Sequence, residues 1–304
     1  MKAVLVSGVT GFVGKNLSNY LSNDYQVEGV YRGTKKNQLN YSSITSKSFN
    51  NKKAFIHLAG KAHDLNNISN PKEYFEVNTE LTKILFDKFL DSNCEKFIFI
   101  STVKAVADIA ENILTEENIP QPKTPYGQSK LEAENYVLSK PLKEGKSVFI
   151  LRPCMIHGPE NKGNLNLLYS VISKGIPYPL GRYKNKRSFV SIDNLCFIIK
   201  KIIEQDIKSG IYHIADDRSL STKELVQFIG QEIGRPVKIF NFPIWMVEFI
   251  AKLGDLFRLP FNSHRLDKLT ESFEVSNKKI TKELNIKLPF STLEGLKKTI
   301  NHFK

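Results

Sequence analysis

Tyr126 and Lys130 are the two residues of this 304-residue chain whose types and spacing point most directly to chemistry. Four residues apart, they share one face of a helix. An ammonium beside a phenol lowers the phenol pKa from about 10 towards neutrality, making a proton donor or acceptor usable near pH 7. Spacing alone does not select this pair, because Tyr31/Lys35 and Tyr136/Lys140 repeat it. Position does. Tyr126 follows Pro125 at the start of a predicted helix, downstream of a buried run ending Ile100-Ser101-Thr102. Active sites in wound sheets collect at such strand ends, where hydroxyls can hydrogen-bond a reacting oxygen.

A second cluster, Gly8-Val9-Thr10-Gly11-Phe12-Val13-Gly14, lies between the apolar run Ala3–Ser7 and an amphipathic stretch. Glycines spaced G-x-x-G-x-x-G after a first strand and before a first helix let backbone amides approach a pyrophosphate. The placement, more than the glycines, makes this a dinucleotide signal. The next strand then needs a group for the adenosine ribose, roughly 20 residues after the loop. It ends Val30-Tyr31-Arg32-Gly33, followed by Lys35 and Lys36. An acid there would repel a 2′-phosphate, whereas Arg32 with either lysine attracts one. NADP(H) is therefore favoured, with NAD(H) left open; the blander reading makes Arg32 a solvated loop residue.

The elements that must hold these residues follow from patterning. Short apolar runs at Ala3–Ser7, Gln26–Tyr31, Ala54–Leu58, Lys96–Ser101 and Ser147–Leu151 alternate with helical stretches at Val13–Ser22, Lys72–Leu90 and Gly127–Leu138. Three of the runs are continuously apolar, as strands covered on both faces are. The alternation predicts an α/β fold, a Rossmann-type doubly wound parallel sheet. Later, pieces broken by glycine and proline precede helical patterns at Ser221–Ile233 and Pro243–Phe257, predicting a smaller C-terminal α/β lobe. The division is 1–155 for dinucleotide binding and 156–304 for substrate, with a boundary loose enough for segments to interleave.

Composition narrows the class. With 41% hydrophobic residues and 304 positions, the chain can bury roughly three quarters of its surface in one large or two modest domains. Cys94, Cys154 and Cys196 are too few and scattered for a disulfide framework, and none sits in a C-x-x-C. No metal site is expected. The apolar start is too short for a signal peptide, and no run of 18 apolar residues occurs, so a cytoplasmic, non-spanning protein is expected. The net charge of +13 comes from lysines scattered singly or in pairs, without a nucleic-acid-binding motif, so no nucleic-acid partner is expected. Pro243–Pro260, carrying Trp245, Phe249 and Leu256, fits either a membrane interface or, preferably, the core of the small lobe or a subunit contact.

Taken together, Thr10-Gly11-Phe12-Val13-Gly14, His57-Leu58-Ala59-Gly60, Val77-Asn78, Ser101-Thr102 and Tyr126-Gly127-Gln128-Ser129-Lys130 resemble the extended short-chain dehydrogenase/reductases, the NAD-dependent epimerase/dehydratase family. Leu151-Arg152-Pro153…His157-Gly158-Pro159, Arg187-Ser188-Phe189-Val190 and Leu293-Glu294-Gly295-Leu296 extend the resemblance to nucleotide-sugar enzymes over essentially the whole chain. The resemblance implies a triad of Thr102, Tyr126 and Lys130, with Asn78 supporting it. It implies cofactor contacts at Gly8, Thr10, Gly11, Phe12, Val13, Gly14, Arg32, Leu58, Ala59, Gly60, Asn78, Tyr126, Lys130 and Pro153. Thr102, Tyr126, Arg187 and Arg265 would meet the substrate, the arginines at its diphosphate. A homodimer is expected too. Departures are Thr102 for the usual serine, His157 for the usual tyrosine, and a short stretch from Arg32 to Ala54 lacking the adenine-reading aspartate. His157 reads as structural.

The reaction is less specified. Val103-Lys104-Ala105 follows Thr102 where a 4,6-dehydratase carries an Asp-Glu pair, which disfavours dehydration. Arg32 tips the balance to NADPH-dependent reduction of the C4 ketone of a UDP-4-keto-6-deoxy-N-acetylhexosamine for surface polysaccharide. His57-Leu58-Ala59-Gly60-Lys61-Ala62-His63 resembles the bacterial branch making UDP-linked deoxy amino sugars. The alternative is a UDP-hexose or UDP-N-acetylhexosamine 4-epimerase holding NAD; a non-catalytic NADP(H)-sensing protein, which would lack Tyr126 or Lys130, is the minor one.

Overall fold

Eight strands organise the computed structural model, which describes residues 1–33, 38–61, 70–110, 112–161, 164–257, 259 and 261–303. They are β1 (Lys2–Ser7), β2 (Tyr25–Val30), β3 (Lys52–His57), β4 (Lys96–Ile100), β5 (Ser147–Pro153), β6 (Met155–His157), β7 (Phe189–Ser191) and β8 (Gly210–Ile214). Six of them form one parallel sheet in the order β2-β1-β3-β4-β5-β8. The chain leaves β1 towards β2 on one side and reaches β3 on the other. That reversal opens a crevice at the carboxyl ends of β1 and β3, where open α/β sheets bind ligands.

Apolar side chains on both faces of these strands recruit helices to both faces. Val4, Val6 and Ile98 pack with α1 (Phe12–Leu21) and α6 (Ile192–Glu204), whereas Leu5, Phe55, Phe97 and Phe99 pack with α3 (Leu81–Leu90) and α4 (Pro125–Ser139). Phe97 sits among Phe55, Phe86 and Phe89 with ring centroids 4.8 to 5.5 Å away. Its truncation to alanine would cost roughly 3–5 kcal/mol, as for other buried aromatics.

The helix expected over Lys72–Leu90 forms with an interruption. Asn70 caps a short α2 (Pro71–Tyr74), and residues Phe75–Glu80 widen into a π-helical turn before α3. Such turns recur at functional sites, and this one holds Asn78 and Thr79 fully buried. Among the described residues, Tyr31 and Asn40 form a parallel bridge beside β2. Lys35, Lys36 and Arg258 lie outside the described residues.

The two-stranded β6–β7 sheet gathers α5 (Asn164–Ser173), α7 (Thr222–Glu232), α8 (Ile244–Leu256), α9 (Ser263–Thr270) and α11 (Thr292–Phe303) around a separate core. A further short helix, α10 (Lys278–Glu283), packs its Ile280 with the large-sheet core. Residues 192–214 leave this lobe and return to the large sheet as α6 and β8.

Candidate active site

The glycine loop makes the turn from β1 into α1. Gly8 adopts φ 71°, and Gly11 closes the turn by donating to the Gly8 carbonyl at 3.0 Å before capping α1 without a side chain. A Cβ at Gly14 would stand 2.2 Å from the Gly8 carbonyl oxygen, so only glycine lets the helix sit this close. The result is a helix N-terminus with no acidic residue in its first turn, a setting that favours a phosphate anion. Phe12 and Val13 of that turn pack partly buried against the sheet core. Across the crevice, Leu58 and Ala59 donate their amides to Ser7, at 3.2 and 3.3 Å, which brings the β3 end alongside. The cradle and the crevice fit a dinucleotide in the orientation that the glycine spacing implies.

Tyr41 was not legible as part of this loop. Its hydroxyl accepts the Gly8 N–H at 3.1 Å, hydrogen-bonds Ser7 and feels the charge of Arg32. The interaction places Arg32, exposed beyond the end of β2, near the glycine loop.

Tyr126 and Thr102 come together because α4 starts against the loop after β4. The Asp108 carboxylate accepts from Lys123, Thr124 and the Thr124 hydroxyl, Thr124 caps the helix, and Pro125 begins it. A Cβ at Gly127 would lie 2.4 Å from the Lys104 carbonyl, so a glycine there is what lets α4 touch the turn Val103–Ala105. With that approach, the Tyr126 phenol hydrogen-bonds the Thr102 hydroxyl.

The expected lowering of the Tyr126 pKa is corrected here: burial raises it, the Thr102 hydrogen bond opposing. Lys130 is turned elsewhere. Its Nζ donates to the Ile100 carbonyl at 2.9 Å and lies 4.7 Å from the Phe99 ring centroid. Burial brings this lysine down to about 8, with Glu134 opposing. Glu134, one turn further along α4, is fully buried, accepts from Ser101 and pairs with buried Arg152 through several hydrogen bonds. The i, i+4 relation of Lys130 to Glu134 was the one signal by which this support could have been found.

Asn78 joins the β3 end to α4. Its amide exchanges hydrogen bonds with the Lys61 backbone, 2.7 and 3.1 Å, and donates to Ser129 at 3.0 Å. Gly60 lies directly against Asn78 and Lys130. Three of the expected residues, Gly60, Asn78 and Lys130, thus converge with the Ile100-to-Thr102 segment where a nicotinamide would sit if the pyrophosphate occupies the glycine loop. His57 underlies them, bonded to Ser7 at 2.6 Å and Thr82 at 2.9 Å; burial and Lys130 push its pKa down to about 3, keeping it neutral.

The expected substrate arginines gather around α9. Arg187 donates to the backbone carbonyls of Glu271 and Lys268 and lies 3.6 Å from the Glu271 carboxylate, so its fork is already engaged. Arg265 is exposed in the first turn of α9. Lys104 links them to the tyrosine end, lying over Phe273 at 4.3 Å and sensing Glu271, Asp108 and Arg187; burial holds its pKa below the usual lysine range. Pro153 ends β5. His157 is buried against Thr299 at 2.9 Å, tying β6 to α11 as a structural histidine does. Among the described residues, no group of three or more His, Cys, Asp or Glu could hold a metal, and no helix is long and apolar enough to cross a membrane.

Comparison with known proteins identifies the family. The model of the NAD dependent epimerase/dehydratase family matches residues 4–215. A UDP-glucose 4-epimerase of Vibrio cholerae is 32% identical over 99% of this chain and 95% of its own length. Among solved structures, the UDP-N-acetylglucosamine 4-epimerase from Bacillus cereus superposes with a TM-score of 0.76 at 19% identity, covering 99% of this chain and 98% of that one. RMD from Pseudomonas aeruginosa, complexed with NADPH, gives 0.75 at 19% identity over 100% and 99%. At these identities the two structures speak for the fold alone.

Proposed function

Because the chain belongs to the NAD dependent epimerase/dehydratase family, an NAD(P)-dependent family of nucleotide-sugar epimerases and reductases, we propose that it reduces the C4 ketone of a UDP-4-keto-6-deoxy-N-acetylhexosamine with NADPH. The observation that carries the choice of reduction is Arg32. It stands at the end of β2 near the glycine loop, where an acid would serve the ribose of NAD, and no carboxylate occurs from Val30 to Gly33. A guanidinium at this place supports a 2′-phosphate and hence the cofactor that reductases consume.

When bound, the reduced nicotinamide supplies a hydride to C4. The protein does the rest. The glycine loop and the α1 amides would hold the pyrophosphate and Lys130 the far end of the cofactor, with Asn78 supporting the site through Lys61 and Ser129. Tyr126 donates its proton to the C4 oxygen as charge develops there, and Thr102, hydrogen-bonded to the phenol, shares the load by donating to the same oxygen or to the phenolate left behind. A phenol held above its ordinary pKa is fully protonated at neutral pH, the state that reduction needs. Arg187 and Arg265 serve the diphosphate, Arg187 by exchanging part of its contact with Glu271 for phosphate oxygens. A homodimer in the cytoplasm belongs to the same reading.

The second reading, a UDP-hexose or UDP-N-acetylhexosamine 4-epimerase with bound NAD, is favoured by the Vibrio cholerae relative. Incubating the protein with UDP-glucose or UDP-N-acetylglucosamine and separating the products by anion exchange distinguishes the two. The reductase leaves both sugars unchanged; formation of the C4 epimers supports the alternative.

A further inference from the structure

The small lobe carries an apolar face that its own core does not use. Of α8, only Val247, Ala251 and Gly254 are buried, which limits the expectation that this helix is lobe core to one side of it. At 3.6 residues per turn, Trp245, Phe249, Ile250, Leu253, Leu256 and Phe257 fall within an arc of about 140° pointing away from those three. All six are exposed, Trp245 by 70% and Leu256 by 74%. The chain entering the helix extends the face. Lys238, Phe240 and Phe242 alternate outward while Val237 and Ile239 turn in, and the two phenylalanine rings lie 5.6 Å apart.

Basic residues border this face. Exposed Lys252 borders the apolar stripe, beside Trp245 and Leu256. The neighbouring segment 174–182, bridged to Ile239 and Asn241 through Tyr178 and Leu180, holds exposed Lys174 and Arg182 and no acid. The two acids of α8 lie off the apolar arc, between the buried side and Lys252. Asp255 accepts the Ser263 amide at 3.1 Å, and Glu248 faces Tyr183.

We propose that this face seats on an anionic lipid bilayer, with α8 lying in the interface and the basic residues meeting the headgroups. Aromatic and leucine side chains on one side of a helix, with lysines and arginines around it, match an interfacial helix rather than a spanning one. A single shallow helix binds weakly, and the basic rim together with the net charge of +13 supplies the second attraction that stable seating needs. A second copy meeting this face across a two-fold axis would bring the same lysines and arginines together, which argues for lipid over self-association.

Trp245 is the only tryptophan, so its emission reports the seating directly in the full-length protein. The probe is vesicles of phosphatidylglycerol and phosphatidylcholine in roughly equal parts, with pure phosphatidylcholine beside them. The expected result is a blue shift and co-sedimentation with the anionic vesicles, weakened by salt. The triple variant Phe249→Gln/Leu256→Gln/Phe257→Gln, which keeps Trp245 and alters exposed positions only, should lose about 100-fold in partition. No shift with anionic vesicles overturns the proposal, whatever the variant does. So does equal binding to pure phosphatidylcholine, undiminished binding by the triple variant, or a concentration-dependent blue shift without vesicles, which would make the face a contact between copies.

Discussion

Lys130 donates to the carbonyl of Ile100 at 2.9 Å, a bond that ties the middle of α4 to the last residue of β4 and aims the ammonium across the crevice. Burial brings that lysine down to about 8 and the Glu134 carboxylate opposes the fall. Above this value the amine loses its charge and donates more weakly to a ribose hydroxyl. Affinity for NADPH should therefore be constant below about pH 8 and decline above it. Glu134→Gln removes the opposing carboxylate, so the decline should start at lower pH. Titrating nicotinamide fluorescence against enzyme at a series of pH values checks both statements; a profile flat through pH 9 and unaffected by the substitution contradicts them.

Tyr126→Phe removes the proposed proton donor and leaves the ring in place beside Tyr74, whose centroid is 6.2 Å away. Turnover should fall about 10²- to 10⁴-fold with little change in cofactor binding. Thr102→Ala, which removes the hydroxyl bonded to the phenol, should cost less, about 10- to 100-fold. Equal kcat for wild type and Tyr126→Phe would move the proton transfer to another group.

Gly14→Ala sets a methyl group 2.2 Å from the Gly8 carbonyl oxygen, a backbone atom that cannot swing away. Either the β1–α1 turn opens or the helix shifts. The expected outcome is a folded protein with a lowered melting temperature and NADPH affinity reduced at least about 10-fold, because the pyrophosphate cradle is made of those backbone groups. Calorimetry with and without NADPH reads both quantities; a wild-type response to NADPH would show that the cradle lies elsewhere.

Arg32→Glu tests the cofactor. It replaces a cation near the glycine loop by a carboxylate suited to ribose hydroxyls and repelled by a 2′-phosphate. The ratio of kcat/KM for NADPH over NADH should fall about 100-fold, roughly the loss of two charge-assisted hydrogen bonds. An unchanged ratio would assign Arg32 to the solvent.

These predictions rest on residues of uneven visibility. The glycine loop, the β1–β5 runs and the Tyr126–Lys130 pair could be read directly, because strand periodicity and glycine spacing are local properties of the chain. Partners brought in by tertiary packing could not. Tyr41 reaches Gly8 from 33 positions away, and Lys104 senses Glu271 and Arg187 only once the segments after β4 and α9 approach. The tyrosine pKa departs from the expectation for the same reason: spacing places Lys130 on the right face of α4 but says nothing of the burial that raises the phenol or of the Ile100 carbonyl that turns the ammonium aside. The π-helical turn at Phe75–Glu80 likewise leaves no mark in an amphipathic pattern.

The most direct measurement follows nicotinamide absorbance while the enzyme meets a UDP-4-keto-6-deoxy-N-acetylhexosamine with NADPH or with NADH. Reduction at C4 predicts stoichiometric loss of NADPH, slower or absent loss of NADH, and neither in Tyr126→Phe. No consumption of either cofactor, with interconversion of unmodified UDP-hexoses by the same preparation, would contradict the reductase and make the chain a 4-epimerase.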